Sequence, residues 1–105
     1  MVNIPDEIEA KISKYLKLLK ENNIPIKKAF LFGSYAKGNF NKWSDIDIAL
    51  ISEIFKGDRI SDKDKIRNLT LSVSSEIEVI PFSPKDFNSE DPFALEILRT
   101  GIELI

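Results

Sequence analysis

The residues of this sequence whose types and spacing can do chemistry are a Gly-Ser pair, Gly33 and Ser34, followed after ten residues by Asp45, Ile46 and Asp47. Apolar, strand-like runs flank both. A glycine closing a strand lets the backbone approach a ligand, and a serine at the mouth of a helix adds free N–H groups and a hydroxyl aimed at an anion. Two aspartates at i and i+2 on a strand point the same way, roughly 6.5–7 Å apart along the chain, and can grip one or two hard cations. Together these parts suit a triphosphate, its outer phosphates on Gly33 and Ser34 and its metals between phosphate oxygens and the carboxylates of Asp45 and Asp47. Two-metal phosphoryl or nucleotidyl transfer requires that arrangement. Each half alone has an ordinary reading, as a strand-to-turn connection or as strand-end capping by Ser44 and Asp45. Two aspartates at the head of an apolar strand nevertheless carry a propensity cost, and the conjunction of the two halves is specific.

Composition removes competing chemistries. The chain has no cysteine and no histidine, which excludes disulfides, thiolate metal sites, histidine general bases and Ser-His-Asp hydrolysis. Any metal must be held by oxygen, which favours Mg²⁺ or Mn²⁺. A formal charge of −2 gives no overall attraction to a polyanion, so direct nucleic-acid binding is not expected. With 105 residues, 43% of them hydrophobic and 30% charged, one domain over residues 1–105 with one real core is expected. No run approaches a membrane span, and the N-terminus lacks a signal-peptide pattern, so a cytoplasmic location is expected.

The elements that must position these residues follow in order. Pro5 to Asn22 carries Ile8, Ile12, Leu16 and Leu19 at helical spacing, with Asn3 as its N-cap and Lys11, Lys14, Lys17 and Lys20 on a solvated face. Ile26 to Phe32 reads as a strand ending at Gly33. Ser34 to Lys37 forms a helical turn closed by Gly38, and Asn39 to Trp43 a loop. Ser44 to Ile51 is the second strand, with Asp45, Asp47 and Ala49 on one face and Ile46, Ile48 and Leu50 on the other. Ser61 and Asp64 have capping-box spacing before a helix from about Asp62 to Ser74, and Asp58, Asp62 and Asp64 read as caps. Glu76 to Phe82 is a third strand, which Pro81 either ends soon or places toward an edge. A helix from Pro92 to Arg99 and a strand from Gly101 to Ile105 complete the chain. Phe82, Phe87 and Phe93 read as core or partner surface.

A shared site needs the end of the first strand beside the start of the second, which makes them antiparallel neighbours. The second and third strands, joined through a helix, should be parallel, with their starts close together. The expected class is therefore α/β or α+β, a mixed sheet with helices packed on it.

The segment LFGSYAKGNFNKWSDIDIAL resembles the minimal nucleotidyltransferases of the DNA polymerase β superfamily, whose hallmark is Gly-Ser, ten residues, Asp-x-Asp. The resemblance implies a palm-like domain in which Gly33 and Ser34 bind nucleotide phosphates and Asp45 and Asp47 bind metals. It also implies a third carboxylate on a neighbouring strand. Alternation cannot choose between Glu76 and Glu78, but Glu78 sits deeper, and the run IEVIPFSPKDF looks like the family's third-strand region. Glu78 is therefore favoured as third metal ligand and catalytic base. Lys37 and Lys42, in the loop between the two motifs, are candidates to neutralise triphosphate charge or plain surface residues, and for Lys42 the surface reading is favoured. Tyr35 and Trp43 would stack on a base or pack the domain, the latter being the commoner fate of an aromatic.

Small members of this family accompany helical HEPN-domain toxins, and some adenylylate a tyrosine of that partner. With no second domain to hold an acceptor, this chain is expected to act in the same way, using ATP and Mg²⁺, as an antitoxin in a hetero-oligomer. The competing reading is a binding module that neutralises its partner by occlusion. The intact Gly33, Ser34, Asp45 and Asp47 favour catalysis.

Overall fold

The computed structural model describes residues 4–105; the Asn3 cap lies outside the described residues. The elements run α1 (Asp6–Glu21), β1 (Lys28–Phe32), α2 (Ser34–Lys37), β2 (Ile46–Ile51), α3 (Arg59–Val73), β3 (Ile77–Phe82), α4 (Pro92–Thr100) and β4 (Ile102–Glu103). Their order is the expected one. The sheet runs β3-β2-β1-β4, with β1 antiparallel to β2 and β4, and β2 parallel to β3. It is mixed, and Pro81 lies on an edge strand.

Strand alternation sorts the sheet into two apolar faces. One carries Ala29, Leu31, Ile46, Ile48, Leu50, Ile77 and Val79 against Ile8, Ile12, Tyr15 and Leu19 of α1 and Ile66 of α3. The other carries Phe30, Ala49 and Phe82 against Ala94 and Ile97 of α4. Phe87 joins that second face, with ring centroids 5.3 Å from Phe30 and 5.0 Å from Phe82, and Phe93 lies 5.7 Å from Phe32. The phenylalanines therefore form core. In α1 the buried face includes Tyr15, which the lysine-rich pattern concealed; its hydroxyl lies 2.7 Å from Thr70 Oγ1 and links α1 to α3.

The start of α3 departs from expectation. Its N-cap is Asp58, which accepts from the amides of Ile60 and Ser61, so Ser61 lies inside the first turn. The cause is Asp62, which is not a cap. It is 1% exposed and accepts from the amides of Lys56 and Gly57, each at 3.0 Å, and from Lys65 Nζ at 3.1 Å. That bond set folds the preceding loop onto the side of the helix, which then begins earlier. Burial pulls the Asp62 pKa up, but the Lys56 amide, the Lys65 ammonium and the Gly57 amide together hold it below the ordinary value. Asp64 instead pairs with Arg67 on the surface at 2.6 Å.

A carboxyl with a depressed folded pKa contributes stability that is present above its unfolded pKa and lost as pH falls through the folded one. Asp62→Ala orphans two loop amides and should destabilise the domain by about 2–5 kcal/mol at neutral pH. In urea unfolding, its deficit relative to wild type should shrink as the solution is acidified. Asp64→Ala, which breaks only an exposed pair, should stay within about 1 kcal/mol of wild type.

Candidate active site

The site is assembled by register. Phe32, the last residue of β1, is opposite Asp47, and Gly33 follows with φ +74° and ψ −150°, backbone angles that only glycine adopts without strain. A second reason for glycine is steric. A Cβ at residue 33 would collide with the Asp47 carboxylate, whose Oδ2 occupies that space and whose Cγ would lie 3.2 Å away. The phosphate-type turn and the second aspartate are thus in contact.

The short helix α2 holds Ser34 at the end of β1. Tyr35 and Ala36 are buried, Tyr35 stacks on Phe40 with centroids 4.6 Å apart, and Gly38 closes the turn in the left-handed conformation. Tyr35 therefore packs. A second turn delivers the aspartates: the Asn41 amide donates to Ser44 Oγ at 2.9 Å, and the Trp43 amide to Asn41 Oδ1 at 2.8 Å. Trp43 itself is 81% exposed, with Lys42 Nζ 4.9 Å over its ring. The strand begins at Ile46 rather than Ser44, which leaves Asp45 exposed on the last loop residue and Asp47 half-buried.

The parallel ladder brings in a third carboxylate. Asp47 is in register with Glu78. Burial pushes the Asp47 pKa up, and the neighbouring charges of Asp45 and then Glu78 push it further. Glu76 is drawn elsewhere. It precedes β3, where strand alternation does not apply, and Lys11 Nζ of α1 lies 2.6 Å from its carboxylate. Glu78 Oε1 is held by Lys63 Nζ of α3 at 2.6 Å, and Lys37 Nζ lies 3.5 Å from Glu96 Oε1 of α4. Lys63 and Glu96 were not found in the sequence. Neither carries a local signal, because each reaches its partner only through tertiary packing.

Residues 12–100 match the family model described as Nucleotidyltransferase domain. The chain belongs to that family. It is 31% identical over 68 residues to the Protein adenylyltransferase MntA of Shewanella oneidensis, which covers 65% of this chain and 48% of MntA. The chain thus spans about half the length of that curated relative. Its fold is similar to a toxin-antitoxin crystallised with AMP-PNP, with a TM-score of 0.64 and 26% identity over 89% of this chain and 71% of the other. It is also similar in fold to a chain of the complex of tri-AMPylated Shewanella oneidensis HEPN toxin with MNT antitoxin, with a TM-score of 0.61 and 21% identity over 93% and 71%.

In this nucleotidyltransferase domain, no three or more His, Cys, Asp or Glu among the described residues close into a metal cage. The donor set nonetheless fits a hard divalent cation. Asp45, Asp47 and Glu78 offer only oxygen, and both causes of the raised Asp47 pKa, burial and then the like charges of Asp45 and Glu78, are ones that a bound cation would offset.

Because the Asp47 pKa is raised in the folded state, its stabilising contribution is greatest at low pH and is lost as pH rises through the folded value. Without divalent ions at neutral pH, Asp47→Asn should therefore raise the Tm in calorimetry. The gain should vanish as pH falls below the carboxylate range. Gly33→Ala should act oppositely at all pH values, costing about 1–3 kcal/mol through backbone strain alone.

Proposed function

We propose that this domain transfers AMP from ATP to a hydroxyl, most simply a tyrosine hydroxyl, of a HEPN-domain partner, and so acts as its antitoxin. The observation that carries the proposal is convergence. One register line, Phe32 to Asp47 to Glu78, sets the Gly33–Ser34 turn, the aspartate pair and a third carboxylate side by side. The likeness to an adenylyltransferase and to toxin-antitoxin chains supports the acceptor class.

In this reading Gly33, Ser34 and Lys37 bind the outer phosphates of ATP. The Lys37 ammonium, now beside Glu96, lies on the short helix that opens at Ser34. Asp45, Asp47 and Glu78 would hold Mg²⁺, or Mn²⁺ in its place, which when bound neutralises phosphate charge and lowers the pKa of the attacking hydroxyl. The acceptor oxygen forms a bond to the α-phosphorus while the bond from that phosphorus to the α–β bridging oxygen breaks. The hydroxyl proton passes to Glu78, and pyrophosphate leaves from the Gly33–Ser34 turn. The partner supplies the acceptor. A cytoplasmic setting suits an ATP-dependent reaction on such a partner, and among the described residues no helix is long and apolar enough to cross a membrane.

The test is transfer of label from [α-³²P]ATP to a HEPN-domain protein incubated with this chain. Label should appear with Mg²⁺, disappear with EDTA, and fall about 10²–10³-fold in Asp45→Asn and Asp47→Asn. If those variants still neutralised the partner and no chain ever carried label, the module would act by occlusion and the transfer reading would be wrong.

A further inference from the structure

Glu78 is pulled in two directions. Its register with Asp47 sets its Cβ on the face of the sheet that carries the aspartate pair. Its carboxylate lies elsewhere: Oε1 is 2.6 Å from Lys63 Nζ of α3, a helix that packs on the opposite face through Ile66. Glu78 and Lys63 line one cleft with Ile66 and Val79, both members of that opposite core. The side chain therefore bends around β3, as it can because β3 is the terminal strand. Among the described residues the carboxylates do not close into a metal cage, and the pull of Lys63 on the third of them accounts for this. We propose that Lys63 is a positioning residue that holds Glu78 off the aspartate pair and yields it to an arriving divalent cation. The third metal ligand is then recruited rather than preset. The inference rests on the site reading above, in which Asp45, Asp47 and Glu78 hold the ion, and deepens it by naming what regulates the third ligand.

The strength of the pair suits such an exchange. The two side chains are 38% and 49% exposed, and an ion pair in that setting can choose a rotamer while contributing little to stability. A divalent ion carries twice the charge of the ammonium and meets two further carboxylates at the same place, so it wins the competition for Glu78. The exchange needs only side-chain torsions, of which glutamate has three, and no movement of the paired strand.

The lysine is also committed to this one task. Lys65, the other lysine of α3, is held by Asp62 of its own helix and by the Ile54 carbonyl, and the Arg67 guanidinium pairs with Asp64. Neither competes for Glu78. A substitution at Lys63 thus addresses a single contact, on a half-buried surface side chain outside the core.

The test titrates the full chain, free of nucleotide, with Mn²⁺ and reads the free ion by electron paramagnetic resonance. Lys63→Gln should tighten Mn²⁺ binding by up to about fivefold, the worth of an exposed ion pair. In a Glu78→Gln background the same substitution should change nothing. An equal gain in both backgrounds is a general charge effect and overturns the proposal, as does unchanged or weaker binding by Lys63→Gln. The second readout is the ε-methylene carbon resonance of Lys63. Saturating Mg²⁺ should move it to the position it has in Glu78→Gln, and a resonance that keeps its metal-free position shows Lys63 still on Glu78 and overturns the exchange. Any of these failures, with Mn²⁺ binding lost in Asp45→Asn and Asp47→Asn, leaves the site reading standing. A wild-type chain that binds no Mn²⁺ overturns both.

Discussion

The carboxylate of Asp47 occupies the space where residue 33 would carry a side chain, and the geometry of the site depends on that contact. It exists because the antiparallel register puts Phe32, the residue before the glycine, opposite Asp47. The parallel register on the other side of β2 then fixes Glu78 beside the same aspartate. A slip of one residue in either ladder would turn the corresponding side chain to the opposite face. The register is held by burial: Ile46, Ile48, Ala49 and Leu50 of the central strand are all fully buried, on alternating faces that pack under different helices. The apolar core therefore supplies the precision that the charged residues cannot supply for themselves.

Those charges repel one another, and the pattern of lysines around them is selective. Glu76 is neutralised by Lys11, Glu78 by Lys63 and Glu96 by Lys37. Among the described residues, neither Asp45 nor Asp47 takes part in an ion pair. Protein cations thus sit beside the outlying carboxylates, Glu78 among them, while the Asp45–Asp47 pair has no cation of the protein against it; in the proposed reading a divalent ion held by Asp45, Asp47 and Glu78 would supply that charge. Burial first, and then the charges of Asp45 and Glu78, raise the Asp47 pKa, a local instability that the two packed faces of the sheet absorb.

The sequence revealed those features whose chemistry or periodicity is local. Gly33, Ser34, Asp45 and Asp47 were legible because strand alternation and a fixed interval are enough to define their arrangement. Strand directions followed from the requirement of one shared site. The choice of Glu78 over Glu76 could not be made by alternation, since it turns on β3 starting at Ile77 and on a lysine from α1 that claims Glu76. The start of α3 was misread for a related reason. Asp62 looks like a cap in sequence, and only the loop folding back over it makes it a buried acceptor of two amides. Tyr15 was hidden among lysines, yet it is fully buried, its hydroxyl bonded to a threonine 55 residues away.

The two flanks of β2 are not equivalent, and the asymmetry bears on how a domain this small could handle two substrates. On the β1 side the site is bounded by α2, by the ring of Phe40 on Tyr35, and by α4 through the Lys37–Glu96 pair. That flank is built from short, closed turns with backbone groups at hand, suited to phosphates of invariant shape. On the β3 side the sheet simply ends, with Pro81 limiting further strand pairing. Glu78 is exposed there and restrained by one lysine on a long helix. In the proposed reaction the nucleotide is the constant reactant and the acceptor arrives on another polypeptide. On that reading the closed flank would hold the nucleotide, and the acceptor would have to be brought to Asp45, Asp47 and Glu78 from outside this domain, by the polypeptide that carries it.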